Sequence, residues 1–227
     1  KLGEASDNIQ HAGSGPDKSR QEGPHAHSIW IDPSNCYALA CDLGLDKVFV
    51  YRLDLANCKL LPHSEAIVHP GAGPRHLDFH PNGRFVYVIN EIDATMSTFN
   101  WNKERGSLVE IQAISTLPEG ITGPKSCADV HVHSSGKFVY GSNRGHDSIV
   151  IYAIDEITGI LTLIGHESTQ GKSPRNFAID PTNQFLLVAN QDSGNIVTYR
   201  IDSQTGKLTY LNTTQTPTPV CLKFITR

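Results

Sequence analysis

The chain has 227 residues, 38% of them apolar and 19% charged, the composition of one soluble globular domain of ordinary size. Its formal net charge of −4 excludes a protein whose surface as a whole binds nucleic acid or an acidic membrane. No apolar run approaches the roughly 18 residues of a membrane span, and the polar stretch Lys1 to Gly23 lacks the apolar centre of a signal peptide.

In chain order, residues 1–22 are rich in Gly, Ser, Asp and Gln, match no strand, and read as a loop leading into the first blade of a repeat. From residue 23 an internal echo begins. Ile31-Asp32-Pro33-Ser34-Asn35-Cys36-Tyr37, Phe79-His80-Pro81-Asn82-Gly83-Arg84-Phe85, Val132-His133-Ser134-Ser135-Gly136-Lys137-Phe138 and Ile179-Asp180-Pro181-Thr182-Asn183-Gln184-Phe185 are variants of one turn. The closing aromatics Tyr37, Phe85, Phe138 and Phe185 are spaced 48, 53 and 47, and a second set, Tyr51, Phe99, Tyr152 and Tyr199, repeats that spacing. Short strands recurring with a period of roughly 40–50 residues predict a β-propeller. The expected fold class is therefore all-β, with four-stranded blades at 23–73, 74–126, 127–173 and 174–218.

The second blade shows the pattern most fully. A strand from about His76 to Phe79 reverses at Pro81-Asn82-Gly83. Phe85-Val86-Tyr87-Val88-Ile89 is the continuous apolar run of a strand buried on both faces. Thr95 to Trp101 alternates, Glu104-Arg105-Gly106 turns, and Leu108 to Ile114 completes the blade. The fourth blade repeats this at Phe177–Asp180, Phe185–Asn190, Ile196–Ile201 and Leu208–Leu211. No segment carries apolar residues at helical spacing. Pro219-Val220-Cys221-Leu222-Lys223-Phe224 reads as the first strand of a further blade, which makes residues 219–227 a closing strand. Four blades and one strand leave open edges, an aggregation hazard. The expectation is a larger ring whose N-terminal blades, about two and a half of them, are absent from this chain; a small four-bladed ring is the alternative.

Comparing the blades register by register points to the chemistry. The residues six before and ten after each turn proline, or its equivalent, are His27 and Leu43, Arg75 and Glu91, Ala128 and Arg144, and Arg175 and Gln191. Each pair is symmetric about its turn, so its members are near neighbours at the open end of a hairpin. Because the first strand of a blade lines the central channel, His27, Arg75, Glu91, Arg144, Arg175 and Gln191 are expected to converge on one mouth. Asp129, His76 and His131 lie close by. Turn and apolar positions repeat in type, whereas these vary. Three arginines at one mouth repel one another unless paired or offered an anion. Glu91 neutralises one, and the rest suit a small substrate bearing carboxylate or phosphate, which Arg grips in bidentate fashion. Blade-to-blade salt bridges at the rim are the structural alternative.

The remaining signals are weaker. His25 and His27 alternate along a strand and with His76 or His131 allow a metal site, but no further ligand falls at diagnostic spacing, so neither a metal nor a cofactor is expected. His80 and His133 take the turn register of Asp32 and Asp180, which assigns them to turns on the far face. Cys36, Cys41, Cys58, Cys127 and Cys221 are odd in number and scattered, and read as buried reduced thiols of a cytoplasmic protein. Asn212-Thr213-Thr214 matches a glycosylation acceptor by chance. No nucleophile elbow, P-loop or dinucleotide fingerprint is present.

Gly23-Pro24-His25-Ala26-His27-Ser28, Ala40-Cys41-Asp42-Leu43-Gly44, Gly73-Pro74-Arg75-His76-Leu77-Asp78-Phe79-His80-Pro81, Asn90-Glu91, Ala128-Asp129-Val130-His131, Asn143-Arg144 and Ser173-Pro174-Arg175-Asn176-Phe177 together resemble the seven-bladed propeller lactonases, a family of bacterial 6-phosphogluconolactonases and fungal carboxymuconate cyclases. The resemblance runs from Arg20 onward. It implies a seven-bladed ring and a catalytic set of His27, Arg75, Glu91 and Arg144, with Arg175, Gln191, Asp129, His76 and His131 about the substrate. In a lactonase, Arg144 and Arg175 are expected to hold a phosphate, Arg75 to polarise the ring carbonyl, and His27 or Glu91 to activate water. In a cyclase the same arginines hold muconate carboxylates. A propeller also serves as a non-catalytic scaffold, since fold does not fix function. Hydrolysis of 6-phosphogluconolactone, within carbohydrate metabolism, is the expected activity.

Overall fold

The computed structural model describes residues 3–122 and 125–225. Among the described residues, sixteen strands form four separate antiparallel sheets, each a blade with its strands in sequence order. Blade 1 is β1 (Ala26–Ile31), β2 (Tyr37–Asp42), β3 (Lys47–Asp54) and β4 (Lys59–Ile67). Blade 2 is β5 (Pro74–Phe79), β6 (Phe85–Asn90), β7 (Thr95–Asn102) and β8 (Ser107–Ser115). Blade 3 is β9 (Ser126–Val132), β10 (Phe138–Arg144), β11 (Ser148–Ile154) and β12 (Leu161–Ser168). Blade 4 is β13 (Pro174–Ile179), β14 (Phe185–Asn190), β15 (Asn195–Ile201) and β16 (Leu208–Gln215). The innermost strands β1, β5, β9 and β13 adjoin one another in succession. No helix among the described residues is long and apolar enough to cross a membrane.

The apolar runs explain the layering. β2 and β6 are buried along their whole length, as strands covered on both faces must be. The outermost strands β4 and β16 are largely exposed, and β8 and β12 are half-buried. Apolar side chains therefore collect between blades rather than in one centre. One cluster joins Leu39 and Val50 of blade 1 to Val86 and Phe99 of blade 2. A second joins Phe85 and Met96 to Val139 and Tyr152, and a third joins Tyr140 and Ile151 to Val188 and Tyr199.

The turn aromatics have a shared task. Gly106, Gly159 and Gly206 sit at φ 58°, 77° and 71° in the outer turn of one blade. A Cβ at these positions would come within 2.3, 2.5 and 2.6 Å of the rings of Tyr37, Phe85 and Phe138 in the blade before. Glycine is required twice over, for left-handed backbone and for the ring's close approach. Tyr87 and Tyr140 hydroxyls donate to the Gly159 and Gly206 carbonyls at 3.1 and 2.9 Å and tie the same junctions.

The far face is built as its sequence suggests. Asp32 and Asp180 each accept backbone N–H groups across their own turns, Asp32 from Ser34, Cys36 and Tyr37. The histidines in that register also reach forward. His80 Nε2 donates to Gly136 O at 2.9 Å and His133 Nε2 to Asn183 O at 3.0 Å, each a carbonyl of the next blade.

Two expectations need correction. Residues 219–225 form no strand. Pro217 and Pro219 lack N–H donors, no described strand offers the segment a ladder, and its Leu222 N–H donates instead to Asn176 Oδ1 at 2.6 Å. Residues 226 and 227 lie outside the described residues. The cysteines are all unpaired, but only Cys41 and Cys127 are buried; Cys36, Cys58 and Cys221 are exposed because they occupy turns and the irregular C-terminal segment rather than strands.

Candidate active site

Each innermost strand is interrupted where it meets the mouth. In β5, Pro74 pairs with Asn90 and His76 with Ile89, leaving Arg75 as an extra residue. His27 is the extra residue of β1 and Arg175 that of β13. In β9 the shift falls between Cys127 and Val130, so Ala128 and Asp129 face Ser142. A bulge takes a side chain out of the in–out alternation and re-aims it. The first member of each varying register pair is thus a bulge position of the propeller. Glu91 comes directly after the last residue of β6, and its N–H donates to Gly73 O at 2.7 Å.

Glu91 is the hub of the mouth. Its Oε2 accepts from Arg75 Nε at 2.7 Å and forms an ion pair with Arg144 Nη2 at 2.8 Å, while Oε1 is bonded by Arg20 Nη2. Arg75 is only 2% exposed; its Nη1 also donates to Ala128 O and lies 3.2 Å from His76 Nε2. Arg144 Nη2 donates to Ser126 Oγ and Cys127 O, both at 2.7 Å, and Arg144 Nε is buried without a partner. Burial disfavours the Glu91 charge, but the Arg20 hydrogen bond and the Arg144 and Arg75 charges override it and hold the carboxyl down to about 2. Burial, with Arg144 beside it, brings the Arg75 guanidinium down to about 10, still charged at neutral pH.

His27 and Arg175 complete the rim. Partial desolvation, then the Arg75 charge, lowers the His27 ring to about 4, so it is a neutral acceptor near pH 7. Its ring centroid lies 5.1 Å from that of His76. Arg175 has no ion-pair or hydrogen-bond partner among the described side chains. A pocket of about 390 Å³ is lined by Arg20, His25, His27, Glu91, Arg144 and Arg175, among others. A second pocket of about 270 Å³ shares His27 and Arg175 with it and reaches Arg75, His76, Asp129 and His131.

Asp129 centres a second cluster. Its Oδ1 lies 2.7 Å from His76 Nδ1; its Oδ2 accepts from Asn176 Nδ2 at 2.5 Å and lies 3.4 Å from His131 Nε2. With Nδ1–H given to Asp129, His76 Nε2 is left to accept from Arg75. His131 Nδ1 lies 3.8 Å from Asp78 Oδ2. Burial alone would lower the His131 ring, yet Asp129 and Asp78 raise it to about 10. The His131 and His76 rings hold the Asp129 carboxyl well below the usual carboxylate range despite its burial.

The sequence-derived set divides accordingly. His27, Glu91, Arg144 and Arg175 line the mouth pocket; Arg75 lies beneath it; His76, Asp129 and His131 form the second cluster, along the second pocket. Gln191 lines neither pocket, and its N–H donates to Ser173 O at 2.9 Å. His25, which flanks His27 in sequence, bonds Glu22 Oε1 at 3.1 Å. Two contributors escaped the register comparison. Ser126 begins β9, and Arg20 comes from the strandless N-terminal segment. A loop has no blade register to compare, so only its local run of charge, Asp17 to Glu22, marks it.

Four bladed sheets around innermost strands, with a cationic mouth, define a β-propeller whose site suits small anions. The model of the family "Lactonase, 7-bladed beta-propeller" matches residues 1–224, and the chain belongs to that family. It is 41% identical over 217 residues to a 6-phosphogluconolactonase of Bacillus subtilis, covering 95% of this chain and 61% of that protein. The crystal structure of a putative 6-phosphogluconolactonase from Bacteroides fragilis superposes with a TM-score of 0.89 at 38% identity, covering 97% of this chain and 63% of that one. A periplasmic gluconolactonase from Pseudomonas aeruginosa gives 0.88 at 32% identity, with 95% and 61% covered. The chain thus spans just over three fifths of the length of these relatives.

Proposed function

We propose that the whole protein hydrolyses an anionic sugar lactone, 6-phosphogluconolactone first among them. The observation that carries this reading is the mouth pocket, where one buried carboxylate anchors three arginines and a neutral histidine and an unpaired arginine share the wall. Arg175 supplies positive charge for the phosphate. His27, unprotonated near neutral pH, accepts a proton as water attacks the lactone carbonyl. The C–O bond of the ring then breaks, and the His27 imidazolium returns its proton to the departing ring oxygen.

Glu91 is unsuited to be the base, because both its oxygens are occupied and its proton affinity is low. It acts instead as the anchor that aims Arg144. Arg75, buried and tied to Glu91, Ala128 O and His76, is a strut beneath the pocket, so the oxyanion contact falls to Arg144 rather than to Arg75. The unpaired cysteines suit a reducing, cytoplasmic compartment, which fractionation of expressing cells tests.

Steady-state hydrolysis of 6-phosphogluconolactone by the full-length protein is the experiment. Arg144→Ala should lower kcat by about 10²–10³-fold, the usual effect of removing one oxyanion donor. A wild-type protein without turnover sinks the reading and favours a binding scaffold; a variant with unchanged kcat removes Arg144 from the oxyanion contact.

A further inference from the structure

Arg20 differs from the other three arginines of the mouth. It projects from a segment with no strand, and its guanidinium crosses from the N-terminal loop to blade 2 to bond Glu91 Oε1. Its side chain is 47% exposed, against 2% for Arg75 and 18% for Arg144. Arg75 and Arg144 share Oε2, and Oε1 receives Arg20.

The loop that presents Arg20 is nonetheless fixed in place. Gln21 is fully buried; its Nε2 donates to Leu43 O at 2.8 Å and to Asp46 Oδ1 at 2.7 Å. Its Oε1 accepts from Asp17 N at 3.1 Å, and its carbonyl accepts from Gly15 N at 2.9 Å. Gly15 has no room for a Cβ, which would lie 2.5 Å from Gln21 Oε1. Asp46 also accepts from Gly73 N at 2.8 Å, two residues before Arg75. The Arg20 backbone is thus locked to the junction of blades 1 and 2, while the side chain beyond it is long and half in solvent.

The Arg20–Glu91 pair is exposed on one side only: water competes for the Arg20 guanidinium, while the buried Glu91 keeps Arg75 and Arg144 when Arg20 leaves. A phosphate dianion offers a guanidinium three oxygens and about twice the charge of Glu91. We propose that Arg20 is a specificity-determining residue: it caps Glu91 before substrate binds and transfers to the phosphate of a phosphorylated lactone. The transfer leaves Glu91 Oε1 without its cap only when a phosphorylated substrate is seated, while Arg75 and Arg144 remain on Oε2. This inference rests on the lactonase reading for its substrate.

The test compares Arg20→Ala and Arg20→Lys with wild type in the full-length protein, using 6-phosphogluconolactone and unphosphorylated gluconolactone as substrates. The expected result for Arg20→Ala is a fall of about 10-fold to 100-fold in the ratio of the two kcat/KM values, carried mainly by KM, with partial recovery in Arg20→Lys. Calorimetric titration with the products, 6-phosphogluconate and gluconate, reads the same preference without turnover. A protein that hydrolyses neither lactone overturns the functional reading, yet a loss of 6-phosphogluconate affinity specific to Arg20→Ala still upholds the role of Arg20. An unchanged ratio, an equal loss for both compounds, or no preferential binding of 6-phosphogluconate by wild type overturns the inference.

Discussion

Glu91 and Asp129 are both buried carboxylates beside bulged inner strands, and they have opposite fates. Asp129 is matched. Two histidines, an asparagine and two backbone N–H groups surround it, and Asp78 meets the far side of His131. Glu91 is outnumbered. Three guanidiniums converge on it, and the unpaired Arg175 stands across the pocket. A matched cluster is complete without a ligand, whereas an outnumbered one retains positive charge that an anion can satisfy. The same structural device, repeated around the ring, thus yields a tie between blades in one place and a site in another.

Removing each carboxylate should separate the two roles. Glu91→Ala strands Arg75 and Arg144 without a counter-charge, and a loss of about 3–5 kcal/mol is expected in urea unfolding, as for other broken buried pairs. Activity should vanish with it. Asp129→Asn keeps part of the hydrogen bonding, so a smaller loss of about 1.5–3 kcal/mol is expected. In that variant the His131 ring, followed by NMR, should titrate far below the value of about 10 expected for wild type. A Glu91→Ala protein as stable as wild type would contradict the hub.

Acid and alkali should distinguish the clusters as well. The Glu91 carboxyl is depressed from 4.5 to about 2 on folding, so its contribution is complete above pH 4.5 and is lost as pH falls from 4.5 towards 2. The His131 ring is raised from 6.5 to about 10, so its contribution is complete below pH 6.5 and is lost as pH rises through 10. Melting temperature against pH should show Glu91→Gln flattening the acid limb alone, and Asp129→Asn flattening the alkaline limb and, because its own carboxyl is held low, the acid limb as well. The smallest effect belongs to the exposed arm of the Glu91 cluster. Arg20→Ala should stay within about 1 kcal/mol of wild type in unfolding, whatever it does to substrate preference.

Much of this was legible in the sequence because a propeller writes its geometry repeatedly. The turn aromatics fixed the blade period, and the variable positions at the open ends of the hairpins picked out the bulge residues His27, Arg75 and Arg175. What the register could not convey was depth. Arg75 and Arg144 occupy different blades' versions of the mouth, yet one is a buried strut and the other lines the pocket. Arg20 was missed because a strandless loop has no counterpart in another blade. The segment after Thr218 carries strand-like alternation, but a strand needs a neighbour, and its N–H at Leu222 finds a side chain instead.

A neutral His27 working as the base, in a mouth organised by Glu91, is the centre of this mechanism. Its most direct test is the pH dependence of kcat/KM for 6-phosphogluconolactone in wild type and His27→Gln. The expected result is an acid limb in wild type near pH 4, where His27 gains its proton, and a loss of about 10²–10⁴-fold in the variant. A limb at the ordinary histidine value of 6.5, or a His27→Gln enzyme that keeps the wild-type rate and profile, would contradict it.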